Sequence, residues 1–551
     1  MPEASVLLVL HAHLPFVKHV ERLDPPEEDW LHECILDCYL PLLGTLQRCD
    51  AEGIDFGLAI SFSPTLVAML DDPALRLRTE RYLKRRLSLI EDAVTSAPRA
   101  SRRLLESERA RTEALRARYV SEMSHDLLGG FAALASRGCI ELLTTCATHA
   151  FLPAHATTKA VAAEQIGLGL RSHARRFGHA PAGFWLPECG YHEGLDRILA
   201  AEGVRYTFVD THSLTAAHPR PADGVYAPIA SPAGMVFFGR DPEVSTQVWS
   251  REVGYPAHPD YRELYRDLGE EIPPGRWRQL FGDSAQRRMG IKLHRITGAP
   301  LKEPYRPRAA AALARRHAAD FLERRREQAA RLSDATRVPA AIVAPFDAEL
   351  FGHWWYEGPA FLEAAIRRAR RHRGALRVTT PSRYLRSVPA LQIAEPAAGS
   401  WGEGGQAQVW IDESNAWLYP HLHRAARELR RLVSQESPPR AFAQARRELL
   451  LAQSSDWPFL MRARTSALYA ESRARTHLER FREIGRQIRS GRIDDAWLSA
   501  VESVDSLFPD LAADVNRAAE PRRSSARSVR TGAPRARSGR RRASRRARGP
   551  G

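Results

Sequence analysis

Two acids in this chain sit among neighbours that a solvated surface rarely provides. Around residue 347 the sequence reads Ala344-Pro-Phe-Asp347-Ala-Glu349-Leu-Phe-Gly-His353-Trp354-Trp355-Tyr356-Glu357, directly after the apolar run Ala341 to Ala344. Upstream, Gly183-Phe-Trp185-Leu-Pro-Glu188-Cys189-Gly-Tyr191 again sets one acid among aromatics and turn formers. Carboxylates beside flat apolar faces suit carbohydrate chemistry, since cleaving a glycosidic bond requires two acids and sugar rings stack on aromatics. An ordinary surface loop would instead carry Lys and Glu. Glu188 and Asp347 are therefore the candidate catalytic pair.

A second tier of residues has the types that bind sugars. His11-Ala-His13 and Thr148-His149 place three histidines after short apolar runs, and Asp456 lies in Gln453-Ser-Ser-Asp-Trp-Pro-Phe459. His-x-His with a further histidine also has the spacing of a metal site, but no carboxylate or fourth histidine is paired with it at fixed spacing. Hydrogen bonding to sugar hydroxyls is the expected role, and no metal or other cofactor is assigned. Trp249, Trp354, Trp401 and Trp410 are candidate stacking platforms, with core packing as the competing use. Trp401 and Trp410 are the preferred pair, because the Gly-rich loop Gly399-Ser-Trp401-Gly-Glu-Gly-Gly405 is a poor place to bury a core anchor.

The elements that must position these groups follow from periodicity. Strands are expected at Val6 to Leu10, Phe56 to Ser61, Ile140 to Thr144, Ala182 to Trp185, Tyr206 to Val209, Ala341 to Ala344 and Leu376 to Thr379. Helical spacing of apolar residues fills Pro73 to Val94, Ser101 to Met123, Gln165 to Phe177, Arg308 to Ala330 and Ala360 to Arg371. Strand-helix alternation over this length predicts an α/β fold with a parallel sheet, and curling it into a barrel collects the strand-end residues in one pocket. His11, His149, Glu188, Asp210 and Asp347 all fall at such ends. After Pro389 the pattern becomes helical, at His421 to Ser434, Pro439 to Ala452, Ala467 to Ser490 and Asp494 to Phe508.

Composition narrows the class. With 551 residues and 44% apolar content, the chain can bury a large core. Its net charge of +16 suggests a polyanion partner, yet residues 521 to 551 hold twelve Arg and no acid, and setting those aside leaves +4. This Arg-rich tail, 517–551, is expected to be disordered and able to bind polyanions only non-specifically, so no dedicated nucleic-acid site is assigned. Six cysteines without Cys-x-x-Cys pairs describe neither a disulfide framework nor a zinc ribbon. No apolar run is long enough to span a membrane, and Val6 to Leu10 is too short for a signal peptide core, so a cytoplasmic protein is expected.

Taken together, His11-Ala-His13-Leu-Pro, Ala147-Thr-His149, Trp185-Leu-Pro-Glu188-Cys, Ala344-Pro-Phe-Asp347-Ala-Glu-Leu-Phe-Gly-His-Trp-Trp and Ser454-Ser-Asp-Trp-Pro-Phe resemble the five ordered signature regions of glycoside hydrolase family 57. The resemblance runs from about residue 5 to about residue 510, includes Gly239-Arg-Asp-Pro-Glu243 and Val248-Trp-Ser-Arg251-Glu-Val-Gly254-Tyr-Pro, and is strongest to the 1,4-α-glucan branching type. It implies an incomplete (β/α)7 barrel over residues 1–388 with a helical insertion near 70–135, then an α-helical C-terminal domain over 389–516. It also implies Glu188 as nucleophile and Asp347 as general acid/base of a retaining mechanism, whose carboxyls stand roughly 5 to 5.5 Å apart. The implied substrate-binding set is His11, His13, His149, Trp249, Arg251, Gly254, His353, Trp354, Trp401, Trp410 and Asp456, acting on an α-1,4-glucan as donor and acceptor. Within the same family, 4-α-glucanotransferase and α-amylase are the alternatives. A metal-dependent polysaccharide deacetylase and a non-catalytic glucan binder are the readings outside it. The loop from about Ala216 to Met235 would exclude water, with Tyr226 as its aromatic, although no aromatic stands just before Gly224 as expected there.

Overall fold

The first strand, β1 (Ala4–Ala12), is buried along its whole length. Its sequence is apolar on both faces: Val6, Leu8 and Leu10 pack with the surrounding helices, and Leu7 and Val9 pack with Ala59, Leu143, Trp185 and Val343 inside the curled sheet. In the computed structural model, which describes residues 4–512 apart from 23, 251, 373 and 434–436, this strand organises the sheet. Arg251 and the Arg-rich tail lie outside the described residues. The further strands are β2 (Leu58–Phe62), β3 (Ile140–Thr145), β4 (Gly183–Trp185), β5 (Tyr206–Val209), β6 (Ile229–Ala230), β7 (Val236–Gly239), β8 (Ala340–Asp347), β9 (Leu376–Val378) and β10 (Gln392–Ile393).

Seven strands follow one another in the order β8-β1-β2-β3-β4-β5-β7, all parallel, with β6 and β10 added beyond β7. This is an incomplete (β/α)7 barrel. Its seventh strand is β7, which the periodicity did not predict, while β9, which it did, pairs only with the first residues of β1. At the open side the Ala341 amide donates to the Tyr226 carbonyl at 2.7 Å, and the Asp241 amide to the Val343 carbonyl at 2.9 Å. Alternate residues of a strand point their backbone groups the same way, so Pro345 also faces this edge. Its missing N–H therefore costs no ladder bond to β1, and a proline is tolerated two residues before Asp347.

The helices Pro73–Ser96 and Arg99–Ala117 pack together, held in part by the buried Arg86 bonding Glu108 at 2.6 Å. The helix Pro307–Ser333 precedes β8, and Gly358–Ala369 follows its loop. Beyond β10, helices at Leu418–Val433, Pro439–Ala452, Asp456–Ala463, Ala467–Ser490 and Asp495–Val504 share a core around Leu422, Trp457, Leu478 and Phe481. Among the described residues no helix is long and apolar enough to cross a membrane.

Tyr226 is at the wrong end of the barrel for the role expected of it. Its carbonyl pairs with Ala341, six residues before Asp347, which at strand rise puts it about 20 Å from the strand end that bears the acid.

The loop after β8 depends on close backbone contact. Gly352 has φ of 128°, and a Cβ there would lie 1.9 Å from the Asp37 carbonyl oxygen. Gly352→Ala should lower stability by about 3 kcal/mol, read as a lower urea midpoint than wild type.

Candidate active site

Glu188 lies three residues beyond the end of β4, in the turn Pro187–Cys189, with the left-handed backbone φ 61°, ψ 23°. Non-glycine residues rarely adopt this conformation, and such strain persists only where surrounding contacts enforce it. The contacts here come from distant segments. The Trp401 amide donates to the Glu188 carbonyl at 3.0 Å, and Gly399 and Tyr191 bond each other in both directions, so the Gly-rich loop runs as a partner strand beside the turn. The Trp401 indole Nε1 donates to Glu188 Oε2 at 2.8 Å, and Ser455 Oγ donates to Oε1 at 3.1 Å.

Asp347 ends β8 in register with His11 of β1. Among the described residues nothing hydrogen-bonds its carboxyl. Burial pushes both acids up to about 7; the charges of Asp347 and Asp456 add to the rise on Glu188, and that of Glu349 to the rise on Asp347. The two acids differ in what stabilises their charged forms. Two hydrogen bonds favour the charged form of Glu188, whereas that of Asp347 is favoured by the nearby charges of His13 and Arg240.

The three histidines form a stack. His13 and His149 have ring centroids 3.8 Å apart, His11 and His149 4.8 Å, and His11 lies against Trp185 at 4.9 Å. His11 Nε2 and His149 Nε2 are 2.8 Å apart, so one carries a proton and the other accepts it. Burial holds both well below the usual imidazole range. His13 is also buried, but Asp456, which accepts from its Nε2 at 3.0 Å, together with the charges of Glu188 and Glu349 outweighs that cost and raises it. Near-parallel rings aim their in-plane lone pairs along parallel planes, which suits hydrogen bonding better than convergence on one ion.

Other expected residues divide. Trp249 is 40% exposed and lies 6.2 Å from Trp401; Trp354 is 52% exposed. His353 sits beside Glu33 at 3.5 Å, and burial brings it down to about 4. Trp410 is 2% exposed and stacked on Phe151 at 4.7 Å, so it packs the interior and offers no sugar platform. Gly254 is needed for backbone packing, since a Cβ there would lie 2.4 Å from the Ser250 carbonyl oxygen.

Several groups at the site were not assigned from sequence. Glu349 accepts the hydroxyl of Tyr39 and the His13 amide, the latter at 3.2 Å. Arg240 reaches Asp210 at 3.1 Å and lies over the Trp401 ring at 5.6 Å. Glu349, Arg240 and Ser455 stand inside quoted motifs and were visible there. Tyr39 joins Glu349 across 310 residues and carried no local signal.

A half-open α/β barrel with two raised carboxyls at the C-terminal ends of β4 and β8, among stacked imidazoles and indoles, is the site of a carbohydrate-active enzyme. The model of glycosyl hydrolase family 57 matches residues 7–396, and that of the 1,4-alpha-glucan branching enzyme C-terminal region matches residues 421–515. The chain belongs to glycosyl hydrolase family 57. It is 32% identical over 539 residues to a Mycobacterium tuberculosis protein named probable 1,4-alpha-glucan branching enzyme, covering 92% of this chain and 97% of that one. It is similar to the alpha-amylase AmyC from Thermotoga maritima (TM-score 0.84, 37% identity, 93% of this chain and 99% of that chain). It is also similar to the GH57-type branching enzyme from Pyrococcus horikoshii (TM-score 0.81, 28% identity, 93% and 97%).

The raised carboxyl has a signed effect on stability. Glu188 moves from 4.5 to about 7 on folding, so the folded chain holds a proton that the unfolded chain releases between those values, and its contribution is lost as pH rises through about 7. Glu188→Gln removes this loss. The variant should match wild type near pH 4.5 and exceed it at pH 8 by on the order of 2 kcal/mol, measured by urea unfolding at both values.

Proposed function

We propose that this chain is a 1,4-α-glucan branching enzyme working by retaining double displacement. The observation that carries the mechanism is the unequal bonding of two otherwise similar buried carboxyls. Glu188, as the carboxylate, attacks the anomeric carbon of the donor glucan; a C1–O bond to Glu188 forms as the C1–O4 bond breaks, and Asp347 gives its proton to the departing O4. Asp347, now a carboxylate, takes the proton of an acceptor 6-hydroxyl as its oxygen displaces Glu188 from C1 and forms the α-1,6 branch. Trp401 Nε1 and Ser455 Oγ orient the nucleophile. His13 with Asp456, and the His11–His149 pair, present donors and acceptors to sugar hydroxyls. Trp401, Trp249 and Trp354 offer apolar faces.

Transfer to a glucan hydroxyl is supported by the branching-enzyme C-terminal match and by the relatives that bear that name. Hydrolysis is the second reading, favoured by the 37% identity to AmyC and by the position of Tyr226.

Incubation with amylose in EDTA tests both. Wild type should lower iodine colour and generate α-1,6 proton resonances, and Glu188→Gln should lose about a thousandfold in rate. Free reducing sugar without branches would establish hydrolysis, and dependence on added metal would overturn the mechanism. Trp401→Phe, which keeps a ring but removes the donor, should cost about a hundredfold in kcat.

A further inference from the structure

The reaction as proposed leaves Glu349 without a part. This acid stands two residues beyond Asp347, in the single turn Ala348–Leu350 that follows β8, and is 8% exposed. Its Oε1 accepts from the Tyr39 hydroxyl and from the His13 amide, the latter at 3.2 Å. Tyr39 is fully buried and closes the helical segment Cys34–Tyr39, where the Leu40 amide reaches back five residues to the Ile35 carbonyl instead of four. Such widened turns are rare and concentrate at functional sites. The same segment meets the loop after β8 twice more: Cys38 Sγ donates to the Ala348 carbonyl at 3.0 Å, and the Asp37 carbonyl fills the space that a Cβ on Gly352 would need. A distant segment thus fixes a carboxyl that has no ion pair among the described residues.

An enclosed acid held by neutral donors acts on its neighbours through its charge. The His13 amide can only donate, and burial keeps the Tyr39 hydroxyl protonated, so both favour the ionised form of Glu349. Asp347 faces Glu349 in its own loop, His13 after β1, Arg240 after β7 and Glu188 after β4. His13 and Arg240 favour its charged form; burial and the charge of Glu349 oppose it and prevail, holding it at about 7. Glu349 in turn faces His13, and also Cys34, Cys38 and Tyr39, which burial keeps uncharged.

We propose that Glu349 is a positioning residue for the reaction: fixed by Tyr39 and the His13 amide beside Asp347, its negative charge keeps the leaving-group proton on Asp347 until the C1–O4 bond breaks. The role rests on the reading of Asp347 as general acid/base. In the second step the same charge makes the Asp347 carboxylate a stronger base toward the acceptor hydroxyl. The proton passes from Asp347 to O4 and is replaced from the acceptor, and Glu349 exchanges none.

Glu349→Gln tests this, because it still offers an oxygen to both donors and removes only the charge. Initial rates on amylose, followed by loss of iodine colour between about pH 5 and pH 9, should show the alkaline limb of kcat/KM moved about one unit to lower pH, with KM near that of wild type. Glu349→Asp, which restores the charge, should return the limb most of the way. Tyr39→Phe combined with Glu349→Leu removes the charge together with the hydroxyl it would leave unpaired, and should lower the limb equally; it carries the test if Glu349→Gln does not fold. An unmoved limb in a folded neutral variant overturns the proposal, and a raised KM with an unmoved limb overturns it in favour of a sugar contact. Asp347→Asn reports separately on the underlying reading: retained amylose turnover rejects the acid/base assignment and the role of Glu349 with it, whereas lost turnover beside an unmoved limb in Glu349→Gln rejects only the role of Glu349.

Discussion

A carboxylate that must be both enclosed and charged needs donors, and the turn after β4 cannot supply them. Glu188 receives its two from outside the barrel, Trp401 Nε1 from the Gly-rich loop and Ser455 Oγ from the start of the helix Asp456–Ala463. The rest of the molecule can be read from this requirement. Ala150 and Ser454 form a backbone bridge, the Ser455 amide bonds the His149 carbonyl at 3.0 Å, and Gln165 links Thr148 to Gln453 through bonds of 2.9 Å. These contacts fix the C-terminal helices against the strand-end loops. Without them, the left-handed turn at Glu188 would have nothing to hold it, and its charge would be buried without compensation. The helical region completes the site as well as covering it.

The same economy of charge governs the histidine stack. Three imidazoles within van der Waals distance cannot all be protonated, and burial settles the matter for His11 and His149. His13 has Asp456 at 3.0 Å to stabilise a proton, while the Glu188 carboxyl nearest His149 is 3.7 Å away. The arrangement leaves one site for positive charge facing a field of carboxyls, Glu188, Asp347 and Glu349, each raised to about 7 by burial. Enclosure makes each of these interactions stronger than it would be in water, so the difference in donors between the two acids weighs more than it would at the surface.

Much of this was legible in sequence, because chemistry in an α/β barrel collects at strand ends and those ends carry dense motifs. Glu188, Asp347, the three histidines, Trp401 and Asp456 do come together. What was not legible depends on long-range packing. The four residues of β7, Val-Phe-Phe-Gly, are too few for a period to emerge, and β9 has strand-like composition with a peripheral place. Trp410 follows a flexible-looking loop, but Phe151, from a segment 259 residues earlier in the chain, covers its face. Gly254 stands in a motif and reads as functional, while its lack of a side chain answers a backbone approach. Tyr226 was placed by its distance from a motif, and strand direction carried it to the opposite end of the barrel. Each case is one where proximity in sequence and proximity in space part company.

Family members named as amylases and as branching enzymes share this scaffold because both reactions need the same first step. In the proposed mechanism, forming the intermediate uses Glu188, its two donors and Asp347, and nothing in that set distinguishes water from a glucan hydroxyl. The choice is made by whatever occupies the acceptor side when the intermediate exists. Favouring a sugar requires surface on which it rests and from which water is displaced, and a few kcal/mol decide the outcome. In this chain the exposed apolar groups Trp249, Trp354 and Phe459 have that character. Phe459 stands one helical turn from Asp456, on the element that also supplies Ser455, so a sugar resting there would press on the same helix that holds the nucleophile. In the proposed mechanism an acceptor on Phe459 and the donor Ser455 that positions Glu188 would share one helix, Asp456–Ala463 and its N-terminal cap.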